Sequence, residues 1–542
     1  MKSVMQHSFS QAPTADIPRS SFDRSHGLKT TIDAGYLYPI FWDEALPGQT
    51  KTVDPTIFGR INTPLFPLMD NLYMDVHFFF VPYRQIWDNW RKFCGEQVDP
   101  GDSTDYTVPQ QQTQQGTLAI GTLADYFGLP TGVPGLEFSD LPFRAYKHIW
   151  NEWYRDENLQ DTEEFSKGDT ATSGYNNLLK RGKRHDYFTS CLPWLQKGES
   201  VNLPLGTTAP VVGTIPITGK AENITLNFGN ESGTLAGVEN GSHWTLRANG
   251  NNGDDGTTNA RWNNTALEAN LQGSGVYTDL STATASTVNE LRKAFQIQKL
   301  LERDARSGTR YSEVVKAHFG VDFLDVTYRP EYLGGSTSPV QFTEVPMTGH
   351  VTPGSSYAGT PAQATGDLAA AGQIIINGGG FTKSFTEHGI VIGLASVRSD
   401  LTYQQGVDRF WSRETRYDFY WPALAHIGEQ AVLNKEIYAT GNGVQDNGVF
   451  GYQERWAEYR YKQSKITGKM RSQAQQSLDA WHLSQEFSSL PGLNASFIEE
   501  NPPMDRVVAF PQEPDFHVDC YFKFTDVSPM PVFSVPGLID HF

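Results

Sequence analysis

Hydrophobic and polar positions along this chain follow two periods. Residues 74–84, MDVHFFFVPYR, are an aromatic and β-branched run closed by Pro82. Such a run predicts a strand buried on at least one face. TTIDAGYLYPIFWDEALPGQT (30–50) alternates and ends on the turn signal Pro47-Gly48, which reads as a strand and a turn. Beyond residue 320 similar pieces recur: VQFTEVPM, QIIING, GIVIGLASV (389–397), RYDFYWPAL (416–424) and VDCYFKF. GIVIGLASV has the length of a buried strand and is too short for a membrane span.

The helical period is rarer. QIWDNWRKFCGE (85–96) spaces Ile86, Trp87, Trp90 and Phe93 as on a helix, with Gly95 as a stop. FRAYKHIWNEWYRDEN (143–158) does the same through Phe143, Tyr146, Ile149, Trp150 and Trp153. These tryptophans read as core or subunit-contact residues, and His77 as a satisfied core or interface histidine. Thr287 and Glu290 make a T-x-x-E capping box. Leu291, Ala294, Phe295, Ile297, Leu300 and Leu301 then predict a helix to about Ala305, and YSEVVKAHF (311–319) predicts another. Residues 98–135 read as loop. Many short strands, long connections and a few inserted helices make the fold class mainly β, a β-sandwich with long loop and helical insertions.

One region breaks both periods. Residues 201–286 hold 12 Gly and 12 Asn, and their basic residues are Lys220, Arg247 and Arg261 alone. Alternating pieces such as NITLNF and HWTLRA predict hairpins among surface loops. The expected organisation is an extended N-terminal arm over 1–25, then strands with inserted helices over 26–200. The surface insertion occupies 201–286, a helix with the remaining strands 287–525, and an extended tail 526–542.

Charge narrows the function classes. The chain has 43 Lys and Arg against 61 Asp and Glu, a net charge of −18, so its whole surface does not coat nucleic acid. Cys94, Cys191 and Cys520 are far apart and form no CxxC, which predicts neither a disulfide framework nor a zinc site. The N-terminus has no apolar core of a secretion signal. Each Gly-Lys pair lacks the Ser or Thr of a P-loop, and HExxH and GxSxG are absent. Asp254-Asp255 and Glu499-Glu500 read as solvated loop acids. No catalytic residue, cofactor or metal is expected.

Against this acidic background, residues 459–478 contain no acid. Arg460, Lys462, Lys465, Lys469 and Arg471 lie there, preceded by Arg455 and accompanied by Tyr459 and Tyr461. Such cations neutralise phosphates, and aromatic faces accept any base. The other readings are a solvated loop, or salt bridges to acids on another subunit. RGKRH (181–185) is a second, shorter basic cluster, followed by Asp186.

PRSSFDRSHGLKTTIDAGYLYPIFWDEALPGQT (18–50) resembles the N-terminal region of the major capsid proteins of gokushovirus-type microviruses. TPLFPLMDNLYMDVHFFFVPYRQIWDNW, LPFRAYKHIWNEWYRDENLQ, RPEYLGG, the stretch from SVRSDLTYQQGVDRFW to FGYQERWAEYRYKQSKITGKMRS, and VPGLIDHF extend the likeness over nearly the whole chain. It is weak over about 201–286. The resemblance implies a viral jelly roll with large insertions, and no enzyme. It implies a T=1 icosahedral shell of about 60 copies around circular single-stranded DNA, together with minor virion proteins. The protein would belong to the virion and assemble in the bacterial host cytoplasm.

The weak region lies where such viruses carry a threefold protrusion that meets a host-cell receptor. Trp244 and Trp262 are then candidate receptor-facing aromatics, or the small core of the protrusion. Arg455, Tyr459, Arg460, Tyr461, Lys462, Lys465, Lys469 and Arg471 become candidate DNA-binding residues. A carbohydrate-binding or carbohydrate-cleaving β-sandwich is the alternative, since 12 Trp and 23 Tyr suit sugar stacking.

Overall fold

The computed structural model describes residues 18–113, 118–171, 174–199, 201, 211–212, 224–228, 231–235, 277–278, 288–321, 328–346 and 368–533. The chain divides into two units, Met1–Lys197 with Glu302–Phe542, and Gly198–Leu301. The elements used below are, in chain order, β1 (Ser20–Asp23), β2 (His26–Ile32), β3 (Tyr38–Ala45), β4 (Thr50–Ile61), β5 (Leu72–Pro82), α1 (Leu141–Ile149), α2 (Val288–Ser307), α3 (Tyr311–Phe319), β6 (Glu331–Pro339), β7 (Gln341–Pro346), β8 (Leu368–Asn377), β9 (Phe381–Ser384), β10 (Gly389–Ser399), β11 (Glu429–Leu433), β12 (Val449–Glu454) and β13 (Phe516–Ser528).

In the first unit two antiparallel sheets share one core. The larger runs β1-β13-β4-β8-β7, with β2 also on β13 and β9 also on β4. The smaller runs β6-β5-β10-β3. Val53, Ile57, Val518 and Phe522 from the larger sheet pack with Val76, Phe78, Val391 and Val397 from the smaller. Ring centroids of Phe41 and Phe522 are 5.2 Å apart. β13 shows why its sequence alternates: Phe516, Val518, Cys520, Phe522 and Phe524 point inward while the residues between them face outward.

β10 is buried along its whole length. Val391, Ala395 and Val397 face the shared core. Ile390, Ile392 and Leu394 face a second core, built with Phe143, Tyr146 and Ile149 of α1. A helix covering the outer face therefore turns an alternating strand into a continuous apolar run. At Gly393 a Cβ would come within 2.8 Å of the Phe78 ring and 2.9 Å of Phe41. The missing side chain lets those two rings meet there.

Several expectations need correcting. The stretch 30–50 holds the end of β2 and the whole of β3, which lie in different sheets, because the chain turns at Ala34-Gly35 between them. The predicted helix over 85–96 splits into single turns, Tyr83–Ile86 and Trp90–Phe93. Between them Trp87 is extended, and its buried indole donates to Asp169 at 2.7 Å. That partner lies 82 residues away, so local periodicity does not register it. The helix predicted over 143–158 is α1 followed by a π-helical turn, Trp150–Tyr154, and stops there. Trp87 and Trp150 are core residues, whereas Trp153 is part-exposed beneath the Arg329 guanidinium, 3.9 Å from its ring. His77 is held by the Tyr154 hydroxyl at 2.8 Å. Within the stretch read as loop, Gln110–Gln112 forms a short strand and Leu123–Tyr126 one helical turn.

α2 and α3 occupy the predicted spans, and Gly320 ends α3 in the left-handed conformation, φ 69°. Thr287 of the expected capping box lies outside the described residues. In the second unit the described residues include the hairpin Ile224–Phe228 with Glu231–Leu235, and Val211–Val212 paired with Tyr277–Thr278. Trp244 and Trp262 lie outside the described residues, as do 1–17 and 534–542 of the expected arm and tail. Among the described residues no helix is long and apolar enough to cross a membrane.

Candidate nucleic-acid interface

The basic segment grows out of a third apolar cluster. β11 and β12 pair antiparallel, and Val432 and Phe450 from this hairpin pack with Tyr187, Phe188, Ile437, Ala457 and Phe497. The chain leaves β12 through Trp456, which takes a left-handed backbone at φ 71°. That conformation costs a non-glycine residue about 1–2 kcal/mol. Burial of the indole, whose Nε1 donates to the Leu424 carbonyl at 2.9 Å, offsets it. Ala457–Arg460 then make one helical turn.

Beyond the turn the backbone is tied down repeatedly. Ser464–Lys465 pair in parallel with Thr402–Tyr403. The Met470 carbonyl meets His482 Nε2 at 2.6 Å, and Ser472 N donates to Gln404 Oε1 at 2.8 Å. The eight residues singled out from the sequence therefore sit on one fixed surface segment rather than a free loop.

Their side chains divide by partner. Arg460 pairs with Glu454. Lys462 and Lys465 both reach Asp408, at 3.4 and 2.6 Å. Partial burial works to raise the Asp408 pKa, but the Lys465 hydrogen bond and the charges of both lysines hold it below the ordinary value. Arg455 lays its guanidinium 4.2 Å from the Trp456 ring centre and donates to the Tyr417 carbonyl at 3.0 Å. Lys469 and Arg471 are exposed, and among the described residues neither has an acid within 4.0 Å. Tyr459 and Tyr461 are half-exposed. Arg413 stands 4.4 Å over the Tyr459 ring. Within the chain, then, salt bridges hold Arg460, Lys462 and Lys465.

The sequence reading missed the neighbour of this segment. RYDFYWPAL is not a strand. It forms the 3-10 turns Arg416–Asp418 and Pro422–Leu424. Asp418 accepts from the Thr415 N–H at 2.7 Å and its hydroxyl at 2.8 Å, which closes the first turn. Pro422 starts the second. Tyr420 meets Tyr459, ring centroids 6.3 Å apart. The signal was present: RFWSRETRYDFYW interleaves three arginines with six aromatic residues.

RGKRH is built quite differently. Arg181 and Lys183 are buried, Arg184 and His185 exposed. Arg181 pairs with Asp75 at 2.7 Å, and Lys183 donates to the Phe497 carbonyl and to Gln485. Glu500, read as a solvated acid, is buried and accepts from Ser399 N and Oγ at 3.2 and 3.1 Å. Burial raises its pKa. The pairing of Gly182 with Glu499 turns Glu500 inward.

A family model described as capsid protein (F protein) matches residues 10–538. The chain is 44% identical to capsid protein VP1 of Bdellovibrio phage phiMH2K, over 99% of this chain and 98% of that one. It is 43% identical to capsid protein VP1 of Chlamydia phage 1, over 99% and 98%. Capsid protein VP1 of Spiroplasma virus 4 is 37% identical over 98% and 97%. These matches set aside the carbohydrate reading and bear out the resemblance to microvirus capsid proteins. The chain belongs to the capsid protein (F protein) family and is a structural component of a bacteriophage virion, not an enzyme.

Proposed function

We propose that this chain is a jelly-roll subunit that assembles as a T=1 shell of about 60 copies around circular single-stranded DNA, with the segment 455–471 turned toward the genome. Two antiparallel sheets on one core support the jelly-roll reading. Lys469 and Arg471 carry the genome-contact reading: they are exposed, fixed in place and lack acid partners among the described residues. Arg460 with Glu454, and Lys462 and Lys465 with Asp408, sit beside them. Minor virion proteins complete the particle in the host cytoplasm. The insertion at 201–286, with Trp244 and Trp262, meets the host-cell receptor.

The test is the double variant Lys469→Gln/Arg471→Gln. Shells still form, and DNA per particle, read from the absorbance of purified particles, falls. Unchanged DNA content sinks the genome-contact reading. Loss of all shells assigns the segment to subunit contacts instead.

A further inference from the structure

Residues 409–421 carry open aromatic rings on a fixed backbone. Arg409 donates to the Ala431 carbonyl at 2.6 Å and pairs with the buried Glu436 at 3.1 Å. Trp421 Nε1 donates to the Arg416 carbonyl at 2.9 Å. Yet Trp411 is 74% exposed, Tyr417 63% and Phe410 60%. Large rings left open on a fixed segment mark a surface that meets a partner.

The chemistry of the surroundings selects that partner. The Arg416 guanidinium lies 5.6 Å from the ring centres of both Tyr417 and Trp421. Nearby acids are engaged: Asp418 with Thr415, Asp408 with two lysines, and Glu458 with Arg413 at 3.4 Å and Gln430 at 2.7 Å. Glu414 is exposed. Residues 409–421 include no Leu, Ile, Val or Met. Arginine and aromatic residues also suit protein interfaces. What favours a polyanion is continuity: Tyr420 contacts Tyr459, where the acid-free basic segment begins. Single-stranded DNA offers phosphates to the cations and unpaired bases to the rings, a pairing tolerant of sequence.

We propose that Phe410, Trp411, Tyr417 and Trp421 form a stacking platform for unpaired bases of single-stranded DNA, with Arg416 and Arg455 beside it. This rests on the genome-contact reading of the basic segment and adds a second strip to it. Oxidative footprinting of Trp411 and Tyr417 tests it, comparing DNA-filled particles, empty shells and dissociated subunits. The expected result is protection in filled particles alone. Ultraviolet cross-links to nucleotides should fall on the peptide holding residues 410–421.

Protection shared by filled and empty shells would make the face a contact with a second copy and overturn the platform. Equal oxidation in all three samples would overturn it too. Dissociated subunits carrying Trp411→Leu should bind oligo(dT) roughly five-fold or more weakly, while Trp411→Phe keeps most of the affinity. Equal affinity in both variants and the parent would argue against stacking. If Lys469→Gln/Arg471→Gln particles lose DNA while Trp411 stays unprotected, the platform falls and the genome-contact reading survives. If those particles package normally yet residues 410–421 still cross-link, the reverse holds.

Discussion

Residues 181–185 and 455–471 are both basic, yet the fold treats them in opposite ways. In the first, Arg181 and Lys183 point into the protein while Arg184 and His185 face out. Arg181 shares the Asp75 carboxylate with Arg398, whose Nε lies 2.8 Å away. Thr337 donates to the other oxygen of Asp75 at 2.7 Å. Burial tends to raise the Asp75 pKa, but the two guanidiniums and Thr337 hold it below the ordinary value. In the second stretch the cations lie at the surface, partnered by exposed or part-exposed acids or by none. Composition alone does not separate these cases. The position of the anion does: a carboxylate buried on a central strand draws its bases into the structure, and one at the surface leaves them reachable by phosphate.

The largest effect should come from taking away the buried anion. Asp75→Ala strands Arg181 and Arg398 without their partner, and about 3–5 kcal/mol of subunit stability should be lost. Denaturant unfolding of dissociated subunits reads this. A loss below about 1 kcal/mol would erase the difference between the two stretches.

Lys183 gives an intermediate effect with a defined pH signature. Burial lowers its pKa to about 8, despite the neighbouring charges of Glu500 and Asp186. The folded state therefore binds this proton less well than the unfolded chain, whose lysine titrates near 10.5. The stability contribution of Lys183 is present above about pH 10.5 and lost as pH falls through about 8. Between pH 7 and 10, the stability difference between parent and Lys183→Met should move in favour of the parent by roughly 2 kcal/mol. Parallel curves over that range would contradict the assignment.

The smallest effect belongs to the surface pair. Asp408→Asn frees Lys462 and Lys465 and should change stability by less than about 1 kcal/mol. It should tighten oligo(dT) binding by dissociated subunits at low salt, with the gain fading in high salt. A large stability loss would mean that Asp408 serves the fold rather than limiting the charge of the segment.

Sequence made some of this legible and hid the rest for identifiable reasons. β10 and β13 were readable because one face or two faces of a strand leave a direct mark on residue type. The basic segment stood out because its acid-free run also holds Arg460, Lys462, Lys465, Lys469 and Arg471, whereas the acid-free run 200–221 holds Lys220 alone and the run 345–366 holds no Lys or Arg. Its electrostatic partners did not, because Asp408 comes from another segment and Glu454 precedes the segment as part of β12. The break at Trp87 depends on Asp169, and the burial of Glu500 on Ser399 and Arg181. Those are tertiary choices, made between positions far apart in the chain. The aromatic turns at 416–424 were misread because a dense aromatic run imitates a strand when Asp418 and Pro422 are not weighed as turn-formers.

β13 has a temporal consequence. It lies between β4 and the pair β1 and β2, joining Phe516–Ser528 to strands made nearly five hundred residues earlier. During synthesis the ribosome delivers all its partners long before β13 itself. Until then β2 and β4 wait with unpaired edges, the kind of exposure that invites off-pathway association. Completion of the larger sheet is thus a late event in the life of each nascent chain. A ribosome stalled before residue 516 would leave a subunit missing an interior strand rather than a dispensable end.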